Sequence, residues 1–168
     1  YDSSVFPCPA SYSAKALAMG AMRARGRVSR SVLDDPRVLL PSADPYRMAR
    51  PYRRRGRGLL QLPIGVTNSL TARLPYIGTS LVLGGPVVAK TLSRAMLGRP
   101  LVNLELHGID LADAEADGLT WLAPHQPDLR VPLAQKEAAL RAAIREVRAM
   151  GYPWVRLDDA ADQFAAQR

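Results

Sequence analysis

Two histidines and a few carboxylates are the side chains here best suited to moving protons. His107 closes the run Leu101-Val102-Asn103-Leu104-Glu105-Leu106, and Asp110 follows three residues later. A histidine both gives and takes a proton near neutral pH, so it suits general acid or base work. Asp110 is placed either to orient the His107 ring or to cap the following turn. Asp2 is the acid available near the start of the chain. His125 lies in a Pro-rich stretch and reads as a surface histidine. No carboxylate dyad, glycine-rich phosphate loop or nucleophile elbow is present. With two histidines and the single Cys8, no compact zinc motif is spelled out, and no internal disulfide can form.

The elements that must position these residues can be read from breakers and periodicity. Leu101–Leu106 is a short apolar run between Pro100 and Gly108, which predicts a buried strand with His107 at its C-terminal end. In parallel α/β folds, reactive groups collect at that end. Leu59–Val66 predicts another strand, interrupted at Pro63, and Tyr152–Leu157 a short last one. Ser11–Arg25 is Ala-rich and stops at Gly26, so it predicts a helix. Val87–Leu97 predicts a second, with Pro86 in its first turn and Gly98 behind it. Leu133–Met150 is the clearest helix. Leu133, Leu140, Ile144 and Val147 form an apolar stripe, and Glu137–Arg141 is a favourable i,i+4 pair. Asp158 or Asp159 then caps a short terminal helix. Residues 108–131 form a long loop of the kind that serves a site. This order predicts an α/β fold with a parallel sheet.

The chain has 168 residues, 48% of them apolar, enough for a real core. No apolar run is long enough for a transmembrane helix. The opening Tyr1-Asp2-Ser3-Ser4 has neither an initiator Met nor a leader-like segment, so the sequence reads as beginning inside a domain. The net charge of +8 is uneven. Residues 1–57 hold 12 basic and 4 acidic side chains; residues 101–168 hold 7 and 11. Asp34-Asp35-Pro36, Pro41-Ser42, Asp44-Pro45 and Arg50-Pro51 predict an irregular segment over 34–57. Its Arg47, Arg50, Arg53, Arg54, Arg55 and Arg57, with Tyr46 and Tyr52 among them, make either a solvated surface loop or a phosphate-binding patch. No recognisable nucleic-acid module accompanies them, so no specific nucleic acid is expected.

Several of these pieces together resemble one family. Tyr1-Asp2-Ser3-Ser4-Val5-Phe6-Pro7 is similar to the Y-D-S-S-(V/L)-x-P segment of the NodB-homology polysaccharide deacetylases. Leu59–Ile64 resembles that family's strand ending in a Leu-Pro or Ile-Pro pair. Leu104-Glu105-Leu106-His107 resembles its final Leu-x-His motif. Gly151, with Trp154-Val155-Arg156-Leu157-Asp158-Asp159-Ala160, resembles its closing strand and helix. The pieces run in the family's order across nearly the whole chain. The chain departs from the pattern at Gln61, where an acid is common, and at Gly108, where an aspartate or proline is frequent.

The resemblance implies that residues 1–168 are the C-terminal half of a distorted (β/α) barrel, part of one catalytic domain. It implies a hydrolase cleaving the C–N bond of an N-acetylated or N-formylated sugar, either a carbohydrate or a lipid-linked sugar. It also implies a divalent metal, usually zinc, whose ligands come from motifs preceding these residues. These 168 residues would then supply no metal ligand and be inactive alone. Only His107 carries over by position, as the acid that protonates the leaving amine. Asp110 and Asp2 would bind substrate or orient groups around it. The alternative is a binding module without chemistry, holding nucleic acid or anionic lipid through Arg47–Arg57.

Overall fold

Pro63 decides where the first sheet ends. Strand β2, Arg55–Gln61, pairs antiparallel with β1, Tyr46–Met48, with Tyr46 opposite Gln61 and Arg47 opposite Leu60. A shift of register follows, so that Met48 faces Arg55. The strand expected over Leu59–Val66 is therefore displaced towards the N-terminus. Pro63 has no N–H for a ladder, and the chain beyond Gln61 leaves the regular sheet. Leu62, Ile64 and Val66 are buried all the same. The computed structural model describes residues 1–28, 33 and 35–166. Asp34, part of the expected Asp34-Asp35-Pro36 turn, lies outside them; Asp35 and Pro36 do open a 3-10 turn over Pro36–Leu39.

The chain divides into two compact units, Tyr1–Pro75 with Leu157–Arg168, and Tyr76–Arg156. In the first, Tyr1–Pro7 lies parallel to the end of β2. The Asp2 N–H donates to Leu60 O at 2.9 Å, the Leu62 N–H to Asp2 O at 2.8 Å, and the Ile64 N–H to Val5 O at 2.9 Å. Helix α1, Pro9–Ala24, begins with Pro9 in its first turn, where the missing N–H costs nothing. Cys8 caps it: the Ser11 N–H points at its sulfur (3.5 Å), while its thiol donates to Arg73 O (3.3 Å). No residue of α1 is buried. Helix α4, Leu157–Ala166, carries Asp158 and Asp159 in its first turn, where the positive end of the helix dipole favours them. It buries Ala160 and Ala161.

The segment expected to be irregular, 34–57, is in large part ordered. It contains β1, the turn and the start of β2. The Ala49 N–H donates to Arg54 O (2.8 Å) and the Arg54 N–H to Pro51 O (3.0 Å), which closes the hairpin. Arg50-Pro51 marked the turn correctly, but pairing between strands is not local and local signals do not carry it.

In the second unit, α2, Gly78–Arg94, packs on α3, Leu133–Ala149. The helix expected to begin at Val87 starts nine residues earlier. The Gly84-Gly85-Pro86 breaker is real, but it kinks the helix instead of starting it: Gly85 has φ 71° and ψ −177°. Its positive φ is readily reached by glycine alone. Leu81, Val82, Ala89, Leu92 and Met96 from the α2 side meet Ala139, Leu140, Ala143 and Val147 of α3, with Tyr76 beneath. Tyr76 sits in that core with its hydroxyl 2.9 Å from Ser93 Oγ; Ser93 spends its own proton on Ala89 O, so Tyr76 is the donor.

Two expected strands of this unit do not form. Leu101–Leu106 makes one isolated parallel bridge, Ile77 with Glu105. Val102 and Leu104 pack on the core, but no ladder develops. Residues 152–156 are irregular; Pro153 removes a donor, and the Tyr152 hydroxyl donates to Arg99 O at 2.7 Å. The class is thus mixed α and β, with four α-helices and a two-stranded antiparallel sheet among the described residues. The parallel sheet expected from the element order is not formed there; parallel alignment is confined to isolated bridges. No helix among them is long and apolar enough to cross a membrane.

Candidate functional site

His107 sits where an extended segment turns into the 3-10 turn Gly108–Asp110. Its backbone is held from both sides. The His107 N–H donates to Asp110 Oδ2 at 2.8 Å, and the Asp110 N–H donates back to His107 O at 2.9 Å. Of the two roles open to Asp110, capping the turn is the one its hydrogen bonds make. The same Oδ2 lies 4.0 Å from His107 Nδ1, so the ring rests against the carboxylate without a hydrogen bond to it. The His107 side chain is 60% exposed and that of Asp110 is fully buried.

Three residues that the sequence reading did not single out complete the surroundings. Thr79, in the first turn of α2, has its hydroxyl 3.4 Å from Asp110 Oδ1 and 3.4 Å from Asp128 Oδ2. One hydroxyl proton can serve only one of these at a time. Asp128 comes from a 3-10 turn, Pro127–Arg130, and is buried; its Oδ1 has no partner among the described residues. Burial, and then the nearby charge of Asp110, push its carboxyl above the ordinary carboxylate range. Lys136, in the first turn of α3, is fully buried. Its Nζ donates to Ile109 O (3.0 Å) and Ala112 O (2.8 Å), the carbonyls on either side of Asp110.

Close approach is what makes Gly78 necessary. A methyl group on Gly78 would overlap Asp110 Oδ2 and crowd Leu106 Cδ2. The Gly78 N–H donates to Glu105 O at 2.9 Å, tying the start of α2 to the residues before His107. The His107 turn is thus fastened by α2 through Gly78 and Thr79, and by α3 through Lys136.

The other expected site residues stand apart from this cluster. Asp2 belongs to the first unit, where its carboxylate accepts from the Ser4 N–H (3.2 Å) and hydroxyl (2.9 Å). His125 is exposed on the second. Arg47–Arg57 lies on the β1–β2 hairpin of the first. Lys136 was within reach of the sequence: 136, 140, 143 and 147 fall on one helical face, so a lysine stands in line with the buried stripe. Thr79 and Asp128 left no such signal. They meet Asp110 across 31 and 18 positions of chain, a proximity that only folding creates.

Compared with known proteins, the chain matches no family model, no curated protein and no solved structure.

Proposed function

We propose that this chain is the C-terminal half of a distorted (β/α) barrel whose reaction is hydrolysis of the N-acyl group of an amino sugar. His107 is its general acid. One observation carries the reading: a solvent-open histidine stands on a turn whose backbone is held from buried positions. Proton donors in catalysis need that combination of access and rigidity. The parallel alignments of Asp2–Val5 with Leu60–Ile64, and of Ile77 with Glu105, support the barrel part of the reading. So do the family-like segments at Tyr1–Pro7, Leu59–Ile64, Leu104–His107 and Gly151–Ala160.

A divalent metal belongs to this reaction class. The residues here do not make its site by themselves: among those described, no group of three or more His, Cys, Asp or Glu side chains is placed to hold one. The reading puts the ligands on sequence outside these 168 residues. What this chain contributes is the proton. Nδ1 faces Asp110, which leaves Nε2 for the substrate. When the C–N bond of the hydrated amide breaks, its electron pair stays on nitrogen. Nε2–H gives that nitrogen its proton, so the sugar leaves as an amine and not as an amide anion. Lys136, Gly78 and Thr79 keep the turn in place while the proton moves.

The test is acetate release from N-acetylglucosamine oligomers by the complete protein, with His107→Ala against the parent. General acid loss lowers kcat by roughly 100-fold or more and leaves KM within a few-fold. Unchanged turnover would remove His107 from the mechanism.

A further inference from the structure

The hairpin of the first unit is a feature that amide hydrolysis leaves unused. From Pro45 to Leu104 the sequence has ten basic residues and no acid. Six of the ten, Arg47, Arg50, Arg53, Arg54, Arg55 and Arg57, fall on this one hairpin. Two are committed within the chain. Arg47 donates to Gly58 O and Ala165 O at 3.4 and 3.3 Å, and Arg55 to Ser42 Oγ at 3.2 Å. The guanidiniums of Arg50, Arg53, Arg54 and Arg57 make no hydrogen bond or ion pair among the described residues. Arg50, Arg54 and Arg57 are exposed and Arg53 is half-buried. Four guanidiniums carried on one hairpin, with no ion pair among the described residues, add up to a local positive field that an anionic partner would neutralise.

The aromatics decide which anion. A single-strand binder stacks successive bases on several exposed rings. Here Tyr46 is 4% exposed and its hydroxyl is spent on Tyr52 O, 3.1 Å away. That leaves one exposed ring on the hairpin, Tyr52, which is no platform for a strand. What surrounds the arginines is instead amphipathic: Tyr52 and Pro51 in the turn, and Leu59 on β2, are all exposed. Guanidiniums at phosphate depth with an aromatic ring among the headgroups are a fit for a bilayer interface.

We propose that the Tyr46–Gln61 hairpin docks on a membrane surface rich in anionic phospholipid. Arg50, Arg53, Arg54 and Arg57 pair with headgroup phosphates, and Tyr52 seats between headgroups. This docking is independent of His107 and stands or falls separately from the hydrolase.

The experiment is cosedimentation of the chain with phosphatidylcholine vesicles, with and without ~30% phosphatidylserine, enough to set a negative surface potential. The chain should partition to the anionic vesicles alone. Replacing all four free arginines by Gln should weaken partition by more than about 100-fold, each contributing roughly fivefold. The matching four Arg→Lys changes should keep most of the binding. Tyr52→Ala should weaken it a few-fold and leave its salt dependence unchanged. The parent chain gives an answer without any substitution: binding should vanish at ~1 M salt, where screening is nearly complete. Equal partition to neutral vesicles, or binding that persists at high salt, would overturn the proposal. So would tighter binding to a single-stranded oligonucleotide than to anionic vesicles at the same salt, which would give the surface to nucleic acid.

Discussion

At the scale of single residues, the informative positions are the buried polar ones around His107. Burial, followed by the charge of Asp110, raises the Asp128 carboxyl above its usual value. The folded state therefore keeps this proton to higher pH than the unfolded chain does. Between the two values the folded state binds more protons, so stability falls as pH rises through that window. Above it the full penalty of a buried charge remains. Asp128→Asn removes the charge and offers amide hydrogens to Thr79 and Asp110. Its melting temperature should exceed the parent's at neutral pH, and the gap should close as pH falls below about 3.9, the unfolded carboxylate value. A gap constant with pH would assign the effect to packing. Lys136→Met has the opposite sign. Burying an ammonium is costly, but removing this one strands two carbonyls and takes a cation away from Asp128. Breaking one side of such a set costs more than the buried charge did, so a loss of about 3 kcal/mol is expected in urea unfolding. The sequence placed His107 and Asp110 three residues apart at the end of an apolar run, and their pairing was legible from that. Thr79 and Asp128 were not, because a threonine after a glycine and an aspartate after a proline are ordinary turn residues.

At the scale of elements, α3 was the most legible part of the chain, yet its buried face is rotated from the expected stripe. Ala139 and Ala143, fully buried, face α2 alongside Leu140 and Val147, while Ile144 is half-buried. Small residues let the two helices approach closely, and a pattern built on large apolar residues misses them. Ala143→Leu should therefore cost about 1–3 kcal/mol by overpacking. Ile144→Ala should cost less than Leu140→Ala, for which roughly 2–5 kcal/mol is typical. Urea midpoints of the three variants give the ranking, and Ile144→Ala proving the worst of them would place the interface elsewhere. The strands were less legible than the helices. A helix closes its hydrogen bonds within one segment, so periodicity and caps suffice to find it. A strand needs a partner distant in sequence. Leu101–Leu106 has the composition of a strand, but among the described residues its β-bridge is the one between Glu105 and Ile77.

At the scale of the whole molecule, the question is what these residues can bind. The described residues bring no three metal-ligating side chains together. If the metal ligands lie on other sequence, as proposed, equilibrium dialysis of the 168-residue chain against zinc should find no stoichiometric tight site. A one-to-one site would defeat that proposal. The charge asymmetry between the halves was visible from composition alone. Which arginines are free to act on it was not, since among the described residues the guanidiniums of Arg47 and Arg55 are committed and those of Arg50, Arg53, Arg54 and Arg57 are not.

By itself the sequence determined the helices at Ser11, Leu133 and Asp158 to within a few residues, the breakers, the basic front and the acid three residues after His107. These follow from near-neighbour physics: caps, periods of 3.6 and the backbone limits of Pro and Gly. Only the tertiary structure decided that Gly84-Gly85-Pro86 kinks one helix, that residues 46–61 form a hairpin and that Asp110 caps the turn of His107. It alone brought Thr79, Asp128 and Lys136 to that turn. Each of those contacts joins segments far apart in the chain, and their geometry is set by which apolar faces bury one another, not by any local preference.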